Sequence, residues 1–208
     1  MMTLFEKTDD TDYIDTDVLL KDVSYSVALL KEKIAGEGDN ALWKVVLASV
    51  YQDSHKYSEV IPILDGLIEE YGYDEDLLEE RADCYALMGM TDLAVKDMNK
   101  AIDLCDERNH AYYYARRGEI FRSAALYDEA IQDFSKVIDR YPTGAYGYYA
   151  RGWCKELSGD QDGAMKDYNE RHQYDRGVSE PVIGTSKLNN HILYEGAYLW
   201  QYPIDYTK

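Results

Sequence analysis

The sequence predicts an all-α fold built from repeated helical pairs, and three observations predict it. Small and apolar residues recur at spacings of three and four, the period that brings side chains onto one face of a helix. The same arrangement of small and large residues returns in phase four times between residues 41 and 178. Glycine and proline fall between the periodic stretches, as Gly36 and Pro142 do, where a helix has to stop.

The clearest unit is 111–144, AYYYARRGEIFRSAALYDEAIQDFSKVIDRYPTG. In its first half Tyr114, Gly118 and Phe121 share a helical face, and in its second half Ala130, Phe134 and Val137 do so. Gly118 and Ala130 are the small residues where two helices can approach. Pro142 stops the second helix, because it has no N–H and disfavours helix in the residue before it. The units are 41–74, 75–108, 111–144 and 145–178. Their first helices carry Ala48, Ala82, Gly118 and Gly152, and their second helices Val60, Ala94, Ala130 and Ala164. Leu64, Met98, Phe134 and Tyr168 then follow, and an excess at Asn109 and His110 is expected in a loop.

This pattern resembles the tetratricopeptide repeat, a helix–turn–helix unit of about 34 residues. The resemblance implies a right-handed solenoid of about four units and a binding role, with the first helices lining an inner groove. Some positions depart from it. Pro62 is expected in the first turn of its helix, a tolerated place. Lys155 replaces an aromatic residue and Arg171 a small apolar one, as suits an atypical terminal repeat.

Outside the repeats, residues 1–15 carry Asp9, Asp10, Asp12 and Asp15 and read as an acidic, flexible N-terminus. Residues 16–40 read as an N-terminal helix or half-repeat with the stripe Leu19, Val23, Val27, Leu30 and Ile34, and Asn40 is a candidate cap for the helix after it. Residues 179–208 are rich in tyrosine and read as a C-terminal cap or tail. A helix there would start at Thr185 or Ser186 and bury Leu188, Ile192 and Leu193.

With 22 basic and 40 acidic residues the formal charge is −18. That surface repels phosphate backbones and anionic membranes, so neither nucleic acid nor a membrane is an expected partner. Cys84, Cys105 and Cys154 form no CxxC pair, and the four histidines form no close pair, so no metal site or disulfide framework is expected. Asp160 and Asp162 resemble part of a calcium loop, but Asn169 stands where a bidentate Glu belongs. There is no Walker loop, GxSxG elbow or dinucleotide fingerprint, so no enzyme and no cofactor is expected. The start of the sequence has no basic segment followed by an apolar core, and a cytoplasmic location is the expectation.

The remaining place for function is the groove. Extending the phase puts Glu79 and Asp83 of the second unit, Tyr112, Arg116, Glu119 and Arg122 of the third, and Tyr146, Tyr149 and Trp153 of the fourth on its face. The fold does not need these positions apolar, so their rings and arginines read as anchors for a protein or peptide carrying both basic and apolar residues. The carboxylate clamp by which some repeats of this family hold chaperone C-termini is not expected, since Val45, Ser49, Glu80, Tyr112 and Arg116 occupy its places. Two other readings stand beside this one. One is a scaffold that homodimerises through the aromatic tail; the other is a chaperone-like protein that shields a secreted substrate.

Overall fold

The structure, a computed structural model, describes residues 23–36, 41–174, 193–194 and 197–198. Among them nine α-helices follow in order: α1 (Val23–Gly36), α2 (Ala41–Asp53), α3 (Tyr57–Tyr71), α4 (Glu75–Leu87), α5 (Thr91–Leu104), α6 (His110–Ser123), α7 (Tyr127–Arg140), α8 (Ala145–Ser158) and α9 (Gln161–Tyr174). Helices α2/α3, α4/α5, α6/α7 and α8/α9 form the pairs. A 3-10 turn at Glu107–Asn109 takes up Asn109, whereas His110, also expected in the loop, is the first residue of α6.

The turn inside every pair has the same left-handed residue. It is His55 (φ 56), Gly89 (φ 73), Ala125 (φ 59) and Gly159 (φ 93) in the four pairs. Glycine adopts this conformation freely, whereas a side chain there is strained. Asp160 follows Gly159 and accepts the Gly163 N–H at 2.9 Å on Oδ1, so it caps the start of α9. That role accounts for the residues that resemble a calcium loop.

Three buried clusters run along the stack. The first joins Leu30 of α1, Leu47 and Tyr51 of α2, Val60, Leu64 and Leu67 of α3, and Cys84 of α4. The second joins Leu78, Ala82, Met98, Ala101, Tyr112, Tyr113 and Ile120 from α4, α5 and α6. The third holds Ala130, Phe134, Ala150 and Cys154 from α7 and α8. Each cluster draws on more than one pair, so no pair buries its apolar face alone and stacking is obligatory. Within a pair, the glycine of the first helix makes room for a ring of the second. A Cβ on Gly118 would lie 2.9 Å from Cε1 of Phe134, and one on Gly152 would lie 2.8 Å from Cε1 of Tyr168.

Two local expectations are corrected. Pro62 lies in the second turn of α3 rather than the first, because α3 starts at Tyr57. There its missing N–H removes a bond to Ser58, a loss made tolerable by its exposed position. Leu193 lies in a strand and not in the expected helix: Leu193–Tyr194 pairs antiparallel with Ala197–Tyr198, Leu193 opposite Tyr198. Aromatic residues around Gly196 favour such a ladder over a helical turn. The expectations for 1–15, Leu19, Asn40, Thr185, Ser186, Leu188 and Ile192 lie outside the described residues. No helix among the described residues is long and apolar enough to cross a membrane.

Candidate protein-binding face

A strip of polar contacts runs from first helix to first helix, α2 to α4 to α6 to α8. At its start Gln52 donates to Glu80 Oε2 at 2.9 Å and reaches Cys84 Sγ at 3.7 Å. In the middle Glu79 Oε1 accepts from the Tyr112 hydroxyl at 2.5 Å and from Arg116 Nε at 2.6 Å. The second arm of Arg116 donates to Asp83. Further on, Glu119 accepts from the Tyr146 hydroxyl at 2.7 Å and from Arg122 Nη2 at 2.7 Å. Arg122 in turn lies over the Trp153 ring, 4.1 Å from its centroid.

Beyond Trp153 the strip becomes aromatic. Tyr149 is tilted against Trp153 with centroids 5.9 Å apart and lies 6.3 Å from Tyr168. Arg171 covers Tyr149 at 4.9 Å, and Tyr168 donates to Glu156 at 2.6 Å. Arg171 is therefore charged where a small residue was expected because it stacks on a ring. Lys155 has a reason of the same kind, since its Nζ lies 2.8 Å from Asp167.

The expected groove residues thus fall together in one strip, but at unequal depth. Glu79, Asp83, Tyr112, Arg116, Glu119 and Arg122 are buried, with Arg116 only 1% exposed and Glu119 0%. Tyr146, Tyr149 and Trp153 are half-buried. The expectation of open side chains is corrected for the first six. Spacing tells which side of a helix a residue takes and not what lies over it. Desolvation dominates the electrostatics there: burial pushes Glu79 up to about 7 and Glu80 up to about 8, and raises Glu119. Asp83 adds to the effect on both Glu79 and Glu80 by repulsion. Burial also pushes the Cys84 and Cys154 thiols up to about 12, which leaves them poor nucleophiles at neutral pH. Among the described residues no cluster of His, Cys, Asp and Glu could hold a metal ion.

A second set of contacts escaped the sequence reading. Arg81, Arg117 and Arg151 each make a two-armed ion pair with an aspartate sixteen residues on: Asp97 at 2.7 and 2.8 Å, Asp133 at 2.7 Å twice, Asp167 at 2.8 and 2.7 Å. The third nitrogen of each reaches the preceding pair, at Asp65 (2.6 Å), at Asn99 and at Ser135 (3.1 Å). Each arginine therefore ties three helices together. The signal lay in the repeat itself. An arginine precedes the small residue and an aspartate precedes the large one in three units, whereas the first unit has Leu47 and Ile63.

Stacked helix pairs with one polar, arginine-bridged face define a helical-repeat solenoid. Tetratricopeptide repeat family models match residues 76–107 and 114–144, and the chain is a tetratricopeptide repeat protein. A human relative, the mitochondrial import receptor subunit TOM70, is 28% identical over 126 residues, 59% of this chain. The match spans 21% of that receptor's length. Among solved structures, MamA superposes with a TM-score of 0.65 at 19% identity, over 80% of this chain and 96% of MamA. YrrB, described as a TPR protein with an unusual peptide-binding site, gives a TM-score of 0.59 at 15% identity over 77% of this chain and 83% of its own. A tetratricopeptide repeat protein of Parabacteroides merdae gives 0.64 at 19%, over 78% and 64%. At these identities the structures establish the fold alone.

Proposed function

We propose that this protein is an interaction module that holds a partner segment along the face of α2, α4, α6 and α8, and that the segment carries basic and apolar residues together. Tetratricopeptide repeat folds serve protein–protein interaction. What supports the groove reading here is one observation, the composition of the strip. Four carboxylates, Glu79, Glu80, Asp83 and Glu119, share it with two guanidiniums, Arg116 and Arg122, and it ends in the rings of Tyr149 and Trp153. The overall charge of −18 favours an incoming cationic segment, and half-buried rings with guanidiniums already against them favour flat or cationic groups.

The test compares two synthetic peptides, one alternating lysine with tyrosine and one alternating glutamate with tyrosine. Calorimetric titration is expected to show binding of the first, weakening with added salt, and none of the second. Equal affinity for the two would remove the charge argument, and binding of neither would remove the reading.

A further inference from the structure

The residue after the left-handed position of each intra-pair turn is Lys56, Met90, Leu126 or Asp160. In all four turns its N–H donates to the carbonyl five residues back at 2.8 Å, so the four positions have equivalent backbones. The outer two turns show that a charged residue is accepted there. The inner two hold apolar side chains in contact with water, Met90 at 42% exposure and Leu126 at 39%. Met88 and Leu93 beside Met90 are exposed as well. The other turns have Ser54, Ala124 and Ser158 in place of Met88, and Glu59, Glu129 and Gly163 in place of Leu93.

The apolar pair is held at a cost to the fold. Met90 and Leu126 are the N-cap residues of α5 and α7, and neither offers a side chain to the free N–H groups of the first turn. Asp160 at the same position does cap α9. A methionine or leucine this exposed also forgoes much of the gain of burial, so folding alone does not favour the pair. Arg116 ties α6 to α4 side by side, which brings the turns that follow them to one edge of the stack. Helices in contact lie about 8–10 Å apart. Residues seven apart on an α-helix, about 10 Å along its axis, match that spacing. Two residues beyond each turn position Asp92, Asp128 and Asp162 form an exposed row in the first turns of α5, α7 and α9. An apolar edge with an acidic border is complementary to a helix with an apolar stripe and basic flanks.

We propose that the turn edge at Met88, Met90, Leu93 and Leu126 is a second docking surface, for a basic amphipathic helix of a partner that sets apolar residues seven apart against the two turns. It shares no residue with the strip along the first helices, so it stands whether or not that strip holds a partner segment. Methionine suits such a surface, because its unbranched side chain adapts to apolar groups of differing shape. The carboxylates orient the helix and speed its arrival, and the turns supply the contact.

The probe is a synthetic leucine–lysine peptide with its leucines on one helical face, set against a peptide of the same composition in shuffled order. The full chain is expected to bind the first about tenfold more tightly than the second. The Met90→Asp, Leu126→Asp double variant carries the residue type that caps α9, so it is expected to melt no lower than wild type. It is also expected to bind the helical peptide about tenfold more weakly, although it is the more acidic protein. The Met90→Gln, Leu126→Gln variant adds no charge and is expected to lose the peptide to the same degree. Wild-type affinity in both variants would overturn the proposal, and so would equal binding of the two peptides or binding of neither. Loss of the helical peptide in Trp153→Ala, with the turn variants unaffected, would assign the helix to the first-helix strip and overturn it too. A wild-type dimer in sedimentation that the turn variants disperse would assign the edge to a second copy of this chain, again against the proposal.

Discussion

Glu80 shows what burial does to a single side chain on this face. Its Oε2 accepts from neutral Gln52, while desolvation and the neighbouring Asp83 push its acidity up to about 8 from an ordinary 4.5. A carboxyl that holds its proton more tightly in the fold than in the unfolded chain stabilises the fold fully below the unfolded value. That contribution is lost as pH rises from about 4.5 through about 8. The Glu80→Gln variant keeps an oxygen for Gln52 and carries no charge. It is therefore expected to have a higher urea midpoint than wild type at pH 8 and the same midpoint near pH 4.5, with a flatter profile between. A midpoint at pH 8 equal to or below wild type would contradict this account of Glu80. For such residues the side of the helix was legible in the sequence, and little more. Helical phase put Glu79, Asp83 and Arg116 on one side, but partner and depth depend on what lies across from them. Arg122 over Trp153 is a contact between helices that no spacing within one helix encodes.

At the scale of the element, helical pairing was legible because small residues and rings recur in phase, and the structure adds which pairs meet. Gly118 receives Phe134, so Gly118→Ala is expected to cost about 1–3 kcal/mol by overpacking. Ala125, seven residues on, is strained at φ 59, so Ala125→Gly is expected to stabilise by about 1 kcal/mol. Opposite shifts in the melting temperatures of these two variants would check both statements, and shifts of one sign would refute one of them. The arginine ties were less legible, since a charged residue beside a core position reads as surface until its partner on another helix is known. The first pair does without the tie, using Leu47 and Ile63. Arg81→Leu alone is expected to cost about 3 kcal/mol, because it leaves Asp97 buried without its guanidinium. Adding Asp97→Ile is expected to return stability to within about 1 kcal/mol of wild type. A double variant no more stable than the single one would mean that the tie does more than neutralise Asp97.

Over the whole molecule, three buried clusters share residues across neighbouring pairs, so the stack presents one continuous first-helix face. The overall charge of −18 sets the sign of what that face attracts over distance, and its rings supply contact area. Trp153 is the residue on which both terms meet, because Arg122 stacks on it and Glu119 holds Arg122. For the same reason its truncation has to be accompanied by a melting curve. The most direct measurement is the affinity of the lysine–tyrosine peptide for wild type, for Trp153→Ala, and for Met165→Ala, whose side chain on α9 is 60% exposed. With all three proteins folded at the temperature of the titration, Trp153→Ala is expected to weaken binding by about 2 kcal/mol, near thirtyfold, and Met165→Ala to leave it unchanged. Wild-type affinity in Trp153→Ala would contradict the assignment of this face as the binding surface.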